Sequence, residues 1–177
     1  MSLFSLAIPI VLRHEGRFVN DSADPGGATN FGVSLRWLKS QGLLTELEQE
    51  EGDVNQSDVA AVKAMTQAEA EAFYQKYWWD KYNYTAVAPQ AVATKIFDTA
   101  VNVGASRAHK FVQQAVGTTQ DGVLGAQTLA KVNAANSVLL LATLQTTQAM
   151  FYKSLVEADP SRQKFLNGWL ARAFDRN

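Results

Sequence analysis

Three side chains near the start of this 177-residue chain could carry chemistry together: Glu15, Asp24 and Thr29. Eight residues separate the two acids, and four separate Asp24 from Thr29. Cleaving a stable acetal needs a carboxylic acid that can hand a proton to the leaving oxygen. It also needs a second polar group that orients water or steadies the positive charge developing on the sugar. Glu15 suits the first role, and Asp24 with Thr29 the second. The intervening Pro25, Gly26 and Gly27 would hold that second pair rigidly, and rigid placement counts for more than any one contact. The same residues have plain structural uses. A Glu at a helix end is ordinary, and an Asp before Pro-Gly commonly bonds its own turn. Type and spacing alone leave both readings open.

The elements that must position these groups can be read from the pattern. Leu3, Phe4, Ala7, Ile8 and Val11 recur at helical spacing, with Ser2 as the expected N-cap and Pro9 inside the helix. The helix should stop near Glu15 and Gly16. The stretch DPGG at 24–27 has Pro second and Gly third, which is type II turn chemistry and demands a positive φ at Gly26. The flanking RFVN and TNFGVS then read as the two arms of a small hairpin. Ser34 should cap a short helix ending at Gly42, and Thr66 with Glu69 form a capping box for QAEAEAFYQKYWWDKY. Pro89 suits the first turn of a new helix. From there the pattern is helical, punctuated by Gly104, Gly117 and Gly125, with Ser106 and Ser137 as expected caps and Pro160 opening the last segment.

Composition excludes several classes. Apolar residues make up 47% and charged residues 19%, enough for a real core and against global disorder. The net charge of -1 argues against a dedicated nucleic-acid binder. There is no Cys, and His14 and His109 stand in no metal-ligand spacing, so neither thiolate chemistry nor a metal site is expected. Residues 45–71 hold eight acids against Lys63 alone, which reads as a solvated helix and loop face. The N-terminus lacks the basic region and cleavage site of a secretory signal. No apolar run is long enough to span a bilayer, and SVLLLATL at 137–144 reads as a core helix segment. If the substrate lies outside the membrane, a protein made in the cytoplasm must reach it by export or holin-type release.

Two resemblances bear on the open readings. The Glu15, Asp24, Thr29 spacing resembles the Glu, eight residues, Asp, five residues, Thr pattern of phage-type lysozymes, with one residue fewer before Thr29; Asn30 stands at the full spacing. HEGRFVNDSADPGGATNFGVS resembles, more specifically, the signature of glycoside hydrolase family 108, with Arg17, Phe18, Phe31 and Val33 in place of the family's Gly, Tyr, Tyr and Ile. YWWDKYNY at 77–84 is also similar to that family. IFDTAVNVGASRAHKFVQQAVG and DGVLGAQTLAKVN resemble the predicted peptidoglycan-binding domain that follows its catalytic part. The resemblance implies a lysozyme-like helical fold, N-acetylmuramidase activity and a catalytic acid at Glu15. It implies no metal or organic cofactor.

The expectation is thus a mainly α, lysozyme-like fold with a small β-hairpin after the first helix. A catalytic region at 1–88 and a helical peptidoglycan-binding-like region at 89–177 should pack as one globular unit, here a monomer. The partner would be peptidoglycan glycan strands, with no nucleic acid and no stable membrane insertion. Glu15, Asp24 and Thr29 are the catalytic candidates, with Asn30 as the alternative to Thr29. Trp78 and Tyr82 could stack on sugars, though dense aromatics, Trp37 included, often build cores. Asp98 and Asn102 share a helix face and could line a groove or make an interhelical bond. Arg107 and Lys110 could meet wall carboxylates or simply be solvated. A lytic transglycosylase, a wall-binding or secretion-accessory protein and a structural helical protein remain as alternatives.

Overall fold

The computed structural model describes residues 1–20, 27–44 and 54–175. The chain divides into two units, Leu12–Tyr74 on one side and Met1–Val11 with Gln75–Asn177 on the other. Asp24, Pro25 and Gly26, with the acidic residues at 46–53, lie outside the described residues.

Helix α1, Phe4–His14, is set by the periodicity of its apolar residues, of which Ala7, Ile8 and Val11 are buried. Ser2 is not its cap. The Ser2 hydroxyl donates to the Tyr84 carbonyl at 2.8 Å, while the Gln90 amide brackets Leu3 by accepting from its N–H and donating to its carbonyl. A side chain 87 residues away thus does what local capping was expected to do.

In the Leu12–Tyr74 unit, the two-stranded sheet lies wholly within TNFGVS. Strand β1, Thr29–Asn30, pairs antiparallel with β2, Val33–Ser34, in the register Thr29↔Ser34 and Asn30↔Val33. Its two-residue loop is Phe31 and Gly32, at φ 49° and 77°. Positive φ at both positions is the mark of a type I′ turn, whose twist suits tight hairpins. The arm RFVN contributes only one bridge, Val19 to Thr29, with both N–H···O bonds at 2.8 Å. The two-stranded sheet therefore turns at Phe31-Gly32, where a glycine can take the left-handed region; the turn expected at DPGG falls mostly outside the described residues.

Ser34 caps α2, Leu35–Ser40, by accepting from the Trp37 N–H at 3.2 Å, as its position before an apolar run implies. Helix α3 spans Val54–Ala64. Its Asp58 is only 2% exposed and is met by the Lys39 ammonium, so this acid does not belong to a solvated face. The capping box before α4, Gln67–Tyr74, forms as expected: the Thr66 N–H donates to Glu69 at 2.7 Å and the Glu69 N–H to the Thr66 hydroxyl at 3.3 Å.

In the other unit the chain continues through a π-helical turn, Gln75–Asp80, and a 3₁₀ turn, Tyr84–Ala86. Helices α5, Gln90–Val103, α6, Ala105–Val116, α7, Ala126–Ala134, α8, Ser137–Ala158, and α9, Gln163–Ala173, follow. Helix α5 is buried on every side from Val92 to Ala100, so each of its polar groups needs an interior partner. Thr94 accepts from the Gln90 amide. Lys95 donates to the Arg172 carbonyl at 3.1 Å, and two guanidinium nitrogens of Arg172 converge on one Asp98 oxygen at 2.9 and 3.0 Å. Burial lowers the Lys95 ammonium to about 8, against the opposing pull of Asp98. Trp79 packs edge-on against Phe97 at 5.5 Å, with Phe4 and Tyr84 completing the cluster. The caps of α6 and α8 are Gly104 and Asn136, not Ser106 and Ser137; Asn136 accepts from the Val138 and Leu139 N–H groups. Within 137–144 only Leu140 and Leu144 are buried, while Val138 and Leu139 face outward.

Candidate active site

Glu15 is the first residue past α1 and is half-buried. What packs on it is backbone. A methyl group built on Gly32 would stand 2.6 Å from Glu15 Oε2 and 2.8 Å from its Cγ, and closer still to the Tyr74 hydroxyl. Only a residue without a side chain lets the turn come this near the carboxylate arm. The Tyr74 hydroxyl donates to the Phe31 carbonyl at 3.0 Å, tying the same turn to the end of α4. The hairpin tip is thus held on one side by Tyr74 and lies against Glu15 on the other.

The two candidates for the third role have different surroundings. Asn30 is 5% exposed, and its amide nitrogen faces the carbonyls of Val62, Lys63 and Met65 at 3.1, 3.3 and 3.3 Å. Those carbonyls cluster at and just past the end of α3, where helical carbonyls run out of intrahelical donors, so the Asn30 donors are fully engaged. Thr29 is half-buried, and its hydroxyl has only a long contact to the Gly27 carbonyl at 3.4 Å. Asp24 lies outside the described residues. Gly32 and Tyr74 escaped the sequence reading because neither is a titrating group of the usual kind; a glycine in the unusual pair Phe-Gly was the available signal.

The remaining candidates belong to the other unit. Tyr82 is half-buried, its ring edge-on to His109 at 5.1 Å, and it walls a surface depression with Gly104, Arg107 and Lys110. Trp78 is half-buried, whereas its neighbour Trp79 is core. Asp98 is 1% exposed and held by Arg172, 74 residues away, which is an interhelical bond from α5 to α9. Asn102 is exposed, and its side-chain oxygen accepts from the Tyr152 hydroxyl at 2.5 Å. Burial pushes the Tyr152 phenol up to about 12. The His109 imidazole is pushed down by burial. Its Nδ1 lies 2.9 Å from the Gly122 carbonyl, which can only accept, so Nδ1 carries the proton and Nε2 accepts from Tyr84 at 2.9 Å.

Among the described residues no helix is long and apolar enough to cross a membrane. Comparison with known families matches residues 8–104, more than half the chain, to the model described as Glycosyl hydrolase 108. Residues 107–174 match the model described as Predicted Peptidoglycan domain. Among solved structures, that of Brucella abortus SagA is similar at 30% identity with a TM-score of 0.65, covering 97% of this chain and 96% of that one. No curated protein matches.

Proposed function

The chain belongs to the glycosyl hydrolase 108 family, and from that premise we propose that it is a muramidase with Glu15 as general acid. Its coarser role is that of a peptidoglycan hydrolase, a glycoside hydrolase whose second half matches a peptidoglycan domain. In the proposed reaction Glu15 protonates the oxygen of the β-1,4 bond between N-acetylmuramic acid and N-acetylglucosamine. The C–O bond breaks as positive charge spreads onto the sugar ring. Thr29 orients the water that completes hydrolysis, with Asp24 supplying the second carboxylate.

The observation that carries this reading is the contact of the Gly32 backbone with the Glu15 side chain. A carboxyl group braced by a tight turn has the fixed placement that proton transfer demands. The test is turnover of purified peptidoglycan by wild type and Glu15→Gln. Gln keeps the shape but cannot donate an acidic proton, so activity should drop at least about a hundredfold, the usual scale of acid catalysis. The wild-type products should end in reducing N-acetylmuramic acid. Anhydro ends would mean a transglycosylase using the same acid. Substantial turnover by Glu15→Gln would remove Glu15 from the role, and wall binding without wild-type turnover would mean an accessory binder.

A further inference from the structure

Two depressions on the Gln75–Asn177 unit share a wall made by Val103 and Arg107. One is lined further by Tyr82, Lys110, Phe111 and Gln114, the other by Asn102, Phe151, Tyr152 and Trp169. Neither lining contains an Asp or Glu among the described residues. In a chain of net charge -1 this is a cationic strip whose lining holds no carboxylate, Asp121 being felt by Lys110 from outside it.

A hydrogen-bonded chain fixes the orientation of Asn102. Gln148, fully buried, donates to the Tyr152 hydroxyl at 2.7 Å, and that hydroxyl's own proton goes to the Asn102 side-chain oxygen. With its oxygen engaged, the Asn102 carboxamide has its NH2 to offer. The Arg107 guanidinium lies 4.6 Å from the Phe151 ring centroid, a cation–π contact that restrains the side chain and leaves its N–H donors for a ligand. Lys110 adds a second cation, whose field also reaches Asp121. The walls are aromatic: Trp169 stacks on Tyr152 at 5.3 Å and on Phe165 at 5.6 Å. Donors, positive charge and aromatic walls together fit an anionic, acceptor-rich ligand with apolar parts.

We propose that the Asn102–Arg107–Lys110 strip binds the stem-peptide carboxylates of peptidoglycan. This rests on the peptidoglycan reading above. In intact strands the lactyl carboxyl of N-acetylmuramic acid is consumed in the amide bond to the peptide, so the negative charge comes from the several peptide carboxylates; removing the peptide leaves a single lactyl carboxylate per disaccharide in their place. The strip therefore selects strands that still carry their peptides.

The experiment is co-sedimentation of the full chain, carrying Glu15→Gln to prevent digestion, with two forms of the same sacculi: intact, and stripped of stem peptides by an amidase. The parent should bind the intact form roughly tenfold more tightly or better, the scale of one charge-assisted contact. Arg107→Gln with Lys110→Gln should erase that preference, and Asn102→Asp should reduce it. Arg107→Lys should restore part of it. Lys110→Gln alone, which leaves the Arg107–Phe151 contact in place, should also weaken the preference. Equal binding of the parent to both forms, or a double variant that keeps the preference or weakens both forms alike, overturns the inference. Wild-type turnover separates the two levels: digestion without peptide preference sinks only this inference, and neither digestion nor binding sinks the peptidoglycan reading with it.

Discussion

The Cα of Gly32 lies against the Glu15 side chain, so close that a methyl group there would stand 2.6 Å from Oε2. With φ at 77°, the position also lies where L side chains are strained. Gly32→Ala should lose both activity and about 2–4 kcal/mol of stability, from backbone strain and overpacking combined. Gly16→Ala is the control, because nothing lies within 4 Å of a Cβ there. Thermal melts and turnover of the two variants check this; a Gly32→Ala protein with wild-type activity would mean the turn does not brace Glu15.

Thr29 and Asn30 should separate by readout. Asn30→Ala removes the buried donor that faces the Val62, Lys63 and Met65 carbonyls, a loss of about 1–3 kcal/mol. Thr29→Val removes a hydroxyl with one long contact and should leave the melting curve nearly unchanged while lowering kcat. If Asn30→Ala melts like wild type and only kcat falls, the roles are reversed.

Stability should rise from about pH 8 towards 10. The folded Lys95 ammonium titrates at about 8, below its ordinary 10.5, because it is buried. Between those values the unfolded chain holds a proton that the folded chain has released, so raising the pH favours the folded state, by at most about 3 kcal/mol. Tyr152 acts oppositely. Its phenol is raised to about 12, so stability falls as pH climbs beyond 10, where the unfolded phenol ionises. Denaturant midpoints from pH 7 to 11 should peak between these limits, and Lys95→Met should flatten the rising limb.

His109 governs the acid side. Its pKa is lowered by burial, so its contribution is present above about pH 6.5 and is lost as the pH falls, when the unfolded ring takes up a proton first. Nitrogen NMR should find the neutral Nδ1–H tautomer persisting below pH 6.5. An imidazolium below pH 6.5 would contradict the Tyr84 hydroxyl as donor to Nε2, though not the Gly122 bond.

A chain ending near Val87 should lose cooperative unfolding. The cut removes Phe97 from the Trp79–Tyr84 cluster and His109 from the Tyr84 hydroxyl. It also divides the unit that joins Met1–Val11 to Gln75–Asn177. A stable, active fragment of that length would show that the first half folds alone.

The sequence by itself determined what depends on neighbours a few residues apart. The end of α1 at His14, the Ser34 cap and the Thr66–Glu69 box follow from periodicity and capping within one turn, and the motif around Glu15 carried the family. Tertiary structure decided what depends on distant partners. The hairpin turns at Phe31-Gly32 because Tyr74 holds the Phe31 carbonyl from 43 residues away. Asn30 is drawn to the end of α3, Asp98 to Arg172 and Ser2 to Tyr84, since a buried polar group takes whatever partner the packing brings within 3 Å or so. Residue type announces that such a partner is needed; only the folded chain selects it, because spacing along the backbone carries no information about which distant carbonyl or guanidinium will arrive.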